Sequence, residues 1–301
     1  MTDPSVQARV PDVDSLGARL ADQGYLTDPG LATALFCAVR LPQPLLLEGE
    51  AGVGKTEAAK ALAAALDTPL VRLQCYEGID AAEALYEWNY PRQMLAIRLA
   101  EAGGQDLSTL DLFDRDHLVS RPLLRAVEHP GPRPAVLLVD EVDRADDEFE
   151  AFLFELLAES SVTIPEIGTI RAVYPPIVVL TSNRTRDLHD ALKRRCLYHW
   201  IDYPRLDRAV AIVRRRVPSA GAALAEQVAG AVARLRTLDV QKPPGVAEAI
   251  NWVAAVQLLG LDRLSAKVAG QTLGSVLKFR EDVDLVTARG LDWVVGEGVA
   301  G

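Results

Sequence analysis

The run from Leu45 to Thr56, LLLEGEAGVGKT, constrains the fold more than any other part of the chain. It satisfies G-x-x-x-x-G-K-[ST] in full, with Gly49, Gly54, Lys55 and Thr56 at the fixed positions and Gly52 between them. Leu45, Leu46 and Leu47 suit a short strand buried on both faces. TEAAKALAAAL, after the lysine, is built from strong helix formers. Strand, glycine loop and helix therefore follow in the order a phosphate cradle needs. Glycines let backbone N–H groups converge on phosphate oxygens, and the helix N-terminus adds the positive end of its dipole. The candidate cradle is Gly49, Glu50, Ala51, Gly52, Val53, Gly54, Lys55, Thr56 and Glu57. In such a loop the lysine reaches the outer phosphates and the threonine hydroxyl ligates Mg²⁺.

The rest of the chain is read around that loop. At ~150 residues per domain, 301 residues suggest about two domains. The balance of 32 basic against 42 acidic residues, net −10, argues against nucleic-acid binding by the whole surface and leaves room for a local basic groove. Cys37, Cys75 and Cys196 are scattered without a C-x-x-C pair, as in a reduced intracellular chain with neither disulfide frame nor zinc site. The N-terminus lacks a basic-then-apolar leader, and no apolar run approaches the ~20 residues of a membrane span. The expectation is a cytoplasmic protein.

Residues 1–12 read as a mobile arm, 13–204 as an α/β nucleotide-binding domain and 205–301 as a helical lid. LVRLQC (70–75), AVLLVD (135–140), IVVLTSN (177–183) and YHWIDY (198–203) read as strands alternating with helices. VTIPEIGTIRAVYPP (162–176) reads as a hairpin turning at Gly168. Pro204 marks the boundary, and beyond it helices are expected at 206–217, 222–238, 245–259, 265–278 and near 284–295. Tyr76, Tyr86, Trp88 and Tyr90 form an aromatic patch, either packing an inserted hairpin onto the body or facing a partner or pore. Tyr25 either lies near an adenine base or packs in the core.

Acidic residues at strand ends supply the second half of the candidate site. Asp140, at the carboxyl end of a buried strand, can hold Mg²⁺ through water, and Glu141 can polarise an attacking water. Both lie where open α/β sheets bind ligands, beyond the strands' carboxyl ends. Asn183 ends the next apolar strand, where an amide can orient the water or touch the outer phosphate, or simply serve a turn. Arg194 and Arg195 follow on a short basic helix. A planar, permanently charged guanidinium suits the transition-state charge of phosphoryl transfer, so the pair reads as fingers for a neighbour's site or as a solvated helix end.

With these motifs assembled, the chain resembles the AAA+ ATPases over about residues 13–295. GEAGVGKT corresponds to Walker A, LLVDEVD to Walker B and TSN to sensor 1. RLQCYEGIDAAEALYEWNYPRQ, TIPEIGTIRA and ALKRRCLYHWIDYP are similar to the MoxR group, in the branch associated with carbon monoxide dehydrogenase maturation. The resemblance implies a parallel central sheet with helices on both faces, followed by a small helical lid. It implies ATP and Mg²⁺ as cofactors, a ring homo-oligomer, typically a hexamer, and a partner bearing a von Willebrand factor A domain. It also implies a chaperone activity, remodelling a client or assisting metal-cofactor insertion into a molybdenum hydroxylase. Arg195 takes the place of the arginine ending the family's short helix. One departure concerns sensor 2: LDVQKPPGVAEAINW carries Lys242 and no arginine between Arg236 and Arg263, and Pro243 and Pro244 suit a helix start. A nucleic-acid motor or loader and a nucleotide-gated scaffold are the competing readings. The first would want a basic track, and the intact Lys55, Asp140, Glu141 and Asn183 set weighs against the second.

Overall fold

The computed structural model describes residues 9–104 and 112–296. Most of the expected arm, part of the 103–120 stretch and the end of the expected lid lie outside them. Val10, within the expected arm, is fully buried, and its carbonyl accepts a bond from Arg40 Nη1 at 3.2 Å. By contacts the chain divides into two compact units: residues up to 23 with 27–48 and 56–200, and residues 24–26 with 49–55 and 201 onward.

The first unit opens with two capped helices. Asp12 accepts from Ser15 N at the start of α1 (Val13–Asp22), and Asp28 accepts from Leu31 N at the start of α2 (Pro29–Arg40). Each carboxylate satisfies an amide that the first turn leaves open. Strand β1 (Leu45–Gly49), helix α3 (Lys55–Leu66) and strand β2 (Leu70–Gln74) follow. After them come α4 (Ala81–Ala84), β3 (Tyr86–Trp88), α5 (Tyr90–Gly103), β4 (Leu118–Ser120) and α6 (Pro122–Val127). Then come β5 (Val136–Asp140), α7 (Asp147–Glu159), β6 (Ser161–Ile164), β7 (Gly168–Arg171), β8 (Ile177–Ser182), α8 (Asp190–Lys193) and β9 (Leu197–Ile201).

Five strands form the central sheet in the order β2-β5-β8-β1-β9. The β2–β5, β5–β8 and β1–β8 pairs are parallel, with Leu73 opposite Val139 and Leu46 opposite Leu180. Strands β1, β5 and β8 are buried at every residue, which is why their sequences are apolar up to their polar carboxyl ends. Strand β2 lies at an edge and alternates instead, burying Val71 and Leu73 while Arg72 faces outward. The helices' apolar faces close over the sheet; Phe149 and Leu153 of α7 join Leu137, Val139 and Leu180 in one core. Each such side chain contributes about 1.5–3 kcal/mol on burial.

Several boundaries differ from the sequence reading. The hairpin turns at residues 165–167, and Gly168, with φ +97°, opens its second strand, which ends at Arg171. The aromatic patch divides: Trp88 is buried edge-on against Tyr86 and Phe113, in a strand paired antiparallel with β4, whereas Tyr76 and Tyr90 are exposed.

The second unit is helical apart from its loop segments: α9 (Leu206–Arg216), α10 (Ala222–Leu235), α11 (Val246–Leu258), α12 (Ala266–Thr272), α13 (Arg280–Arg289) and α14 (Leu291–Val295). The segment expected near 284–295 is two helices, because Gly290 takes φ +105° and breaks the run. Its core centres on the fully buried Trp252, whose indole N–H donates to Thr272 Oγ1 at 2.6 Å. The threonine hydroxyl donates in turn to Val268 O at 2.7 Å, so these buried polar groups are satisfied.

Candidate functional site

The glycine loop is held by its own lysine. Lys55 is buried, and its ammonium donates to Gly49 O at 2.7 Å and Glu50 O at 2.8 Å. The Tyr25 hydroxyl donates to Gly54 O at 3.2 Å, so this residue touches the loop backbone directly. Gly52 O accepts from Val246 N at 3.2 Å at the start of α11. The approach is close because neither chain carries a side chain there. A Cβ on Gly245 would stand 2.8 Å from Gly52 O, and one on Gly52, where φ is +78°, would stand 2.7 Å from Glu248 Oε2. Glu248 in turn accepts from Gly245 N at 2.9 Å, capping the helix. The first turn of α11 thus offers Glu248 to the loop. Pro243 and Pro244 precede the N-cap rather than opening the helix, and Lys242 is exposed. Glu50 is exposed, and Glu57 pairs with Lys60 at 2.7 Å.

The acidic half of the site is a saturated network in the first unit. Asp140 is 2% exposed. Its Oδ1 accepts from Thr56 Oγ1 at 2.9 Å and Thr181 Oγ1 at 2.6 Å. Its Oδ2 accepts from Arg72 Nε at 3.0 Å and Nη2 at 2.6 Å. Thr181 Oγ1 also accepts from Glu141 N at 2.9 Å, which helps hold Glu141 in a left-handed conformation at φ +55°. A non-glycine residue there stores of order 1–3 kcal/mol of strain, as is common where side chains are aimed for function.

Three donors meet the Glu141 carboxylate: Gln74 Nε2 at 3.0 Å, Arg144 Nε at 3.3 Å and Asn183 Nδ2 at 3.4 Å. Asn183 is positioned from behind by Asp143, 2% exposed, which accepts from Asn183 N at 3.2 Å and from Thr185 N at 2.8 Å. Asp140, Glu141 and Asn183, proposed from separate stretches, are therefore brought together with Thr56. Arg72, Gln74, Thr181 and Asp143 join them without having been anticipated. The outward-facing alternation of LVRLQ and the hydroxyl in LTSN were the signals available. The Cys75 thiol records the field of this cluster: burial first, then Asp140, Asp143 and Glu141, push it up to about 12.

Arg194 and Arg195 close α8, and both are exposed. The Arg195 guanidinium lies over the Phe154 ring at 5.0 Å, and its Nη1 is 3.4 Å from Phe154 O.

The donor chemistry fits a hard divalent cation. Thr56 and Asp140 offer oxygen ligands, and the Arg72 guanidinium already stands at Oδ2 as a cation would. Among the described residues, no group of three or more His, Cys, Asp or Glu side chains could cage a metal alone.

The model of the AAA domain family, dynein-related subfamily, matches residues 44–196. The chain belongs to this family. An uncharacterized protein of Staphylococcus haemolyticus (strain JCSC1435) is 26% identical over 227 residues, 73% of this chain and 76% of that protein. An uncharacterized protein of Staphylococcus aureus (strain USA300) is 24% identical over 216 residues, 70% and 73% of the two chains. Among solved structures, the RuvB Holliday junction branch migration motor of Thermotoga maritima is similar, with 17% identity, 88% and 72% coverage and a TM-score of 0.46. The parallel sheet with flanking helices is the AAA+ P-loop fold, and its helical C-terminal region is consistent with it. No helix among the described residues is long and apolar enough to cross a membrane.

Proposed function

We propose that this AAA+ protein hydrolyses ATP and uses the cycle to remodel or mature a partner protein, as the MoxR group does. The observation that carries the reading is the network joining Thr56, the residue after the P-loop lysine, to Asp140, Thr181, Glu141 and Asn183. Mg²⁺, when bound, neutralises phosphate charge and orients the outer phosphates. Thr56 and Asp140 are the residues that would hold it. Lys55 exchanges its two loop carbonyls for phosphate oxygens. Glu141 takes the role of polarising the attacking water, and Asn183 orients that water or the outer phosphate. Arg194 and Arg195 serve a neighbouring subunit of a ring, proposed as a hexamer. Tyr25 is assigned to the adenine side of the loop.

The similarity of residues 72–93, 163–172 and 191–204 to the carbon monoxide dehydrogenase maturation branch supports a narrower reading. In it the client is a molybdenum hydroxylase receiving its metal cofactor, with a von Willebrand factor A domain protein as partner, in the cytoplasm. The test is phosphate release from ATP by the purified chain, alone and with such a client and partner. Hydrolysis that depends on Mg²⁺, is lost in Glu141→Gln and rises with the client supports the reading. Absence of hydrolysis alongside tight ATP binding would favour a nucleotide-gated scaffold instead.

A further inference from the structure

We infer that Arg72 is a displaceable counter-ion that competes with the divalent cation for Asp140. An ionised carboxylate offers about four lone-pair sites. All four are used: two at Oδ1 by Thr56 and Thr181, and two at Oδ2 by Arg72. A water carried by Mg²⁺ can bond Asp140 only if one donor leaves. The two hydroxyls sit on short side chains, and Thr181 is 1% exposed. Arg72 is long, lies on the edge strand β2 and has a side chain that is 45% exposed. It also has a second anchor, since its Nη2 donates to Gln74 Oε1, so it has a partner to retain when it releases Asp140. Gln74 itself holds Glu141. Cation entry therefore acts on one side-chain cluster that touches both acids, and the metal requirement is set from β2.

This inference rests on the reading that Asp140 holds the metal, and the test separates the two. Mn²⁺ binding to the protein with ADP is followed by electron paramagnetic resonance, a readout independent of turnover. Arg72→Ala should lower the half-saturating Mn²⁺ concentration by on the order of thirty-fold, the factor a unit charge ~4 Å from a divalent ion contributes in a water-like medium. Arg72→Gln, which keeps a donor and removes the charge, should move it the same way if the alanine variant folds poorly. Arg72→Lys should stay near the parent. An unchanged or raised midpoint in the alanine and glutamine variants overturns the inference. Asp140→Asn should raise the midpoint; if it does not, the metal role of Asp140 fails, and the inference with it. A raised Asp140→Asn midpoint without the Arg72 effect rejects the counter-ion alone.

Discussion

The Gln74 amide donates to the Glu141 carboxylate at 3.0 Å across the β2–β5 edge of the sheet. The residue assigned to polarise water is thus tied to a neutral side chain on a different strand. Removing Gln74 takes one of two donors from Oε2, where Arg144 stays, and leaves Asn183 at Oε1. Gln74→Ala is expected to raise basal turnover, by roughly ten-fold if the bond is worth the lower end of what charged hydrogen bonds usually are. Glu141→Gln should lower turnover ~10²–10⁴-fold, the usual range for a general base, with ATP binding retained. Steady-state kinetics paired with nucleotide titration checks both. A Gln variant turning over at the parent's rate would dismiss Glu141 from the role.

Lys55→Ala should act at an earlier step. It removes the loop's one positive charge, so nucleotide affinity itself should drop, measured by calorimetry with ADP and ATP. Retained affinity with lost turnover would place Lys55 in catalysis alone.

Arg195 lies on Phe154 of its own chain, so a role in a neighbour's site requires it to leave that ring. Alanine there should cost ~10³–10⁵ in rate if it is a finger, with little effect on ATP binding. Mixed rings of Lys55→Ala and Arg195→Ala subunits should recover activity above either variant, since some interfaces pair an intact arginine with an intact loop. No recovery in verified mixed rings would assign Arg195 a purely intrachain role, and the same experiment on Arg194 would follow.

Alkaline pH should weaken the fold through Cys75. Its thiol is raised from 9.0 to about 12, so between those values the unfolded chain has lost a proton that the folded chain retains. Stability is then fully present below about pH 9 and falls as pH climbs towards 12. Cys196, also raised to about 12 by burial, contributes in the same direction. Denaturation midpoints at pH 8 and 10 should show a smaller decline in Cys75→Ala than in the parent. An equal decline would locate the alkaline sensitivity elsewhere.

Trp252→Ala should destabilise the helical unit by about 3–5 kcal/mol, the usual cost of emptying an aromatic core site. Denaturant unfolding followed by circular dichroism measures it. A change below about 1 kcal/mol would mean the site collapses or is less tightly packed than its full burial indicates.

Residues that declare themselves by local chemistry were legible in the sequence. The phosphate loop needs its glycines, and strands β1, β5 and β8 are buried on both faces, so each reads as an apolar run without alternation. Asp140 could be placed because a buried strand ending in acid is informative at the carboxyl edge of a sheet. Arg72 and Gln74 could not, because their meaning comes from the register that sets Gln74 opposite Asp140, a relation between strands 66 positions apart (140 − 74). Asp143 was hidden for the same reason: its partners Asn183 and Thr185 lie beyond another strand. Helix ends were misjudged where a backbone conformation decides, as at Gly290, since φ +105° leaves no periodic signature.

The contact between Gly52 O and the first amide of α11 carries no side-chain information at all. Substitution can therefore disturb it by adding bulk at Gly52 or Gly245, or by removing the donor in Val246→Pro, and cannot tune it by changing charge. A chain lacking a sensor arginine in that first turn keeps a peptide-to-peptide link instead. Such a link responds to where the loop backbone is rather than to how many phosphates it holds. It is this glycine pair, rather than any charged residue, that lets the first turn of α11 reach the loop backbone.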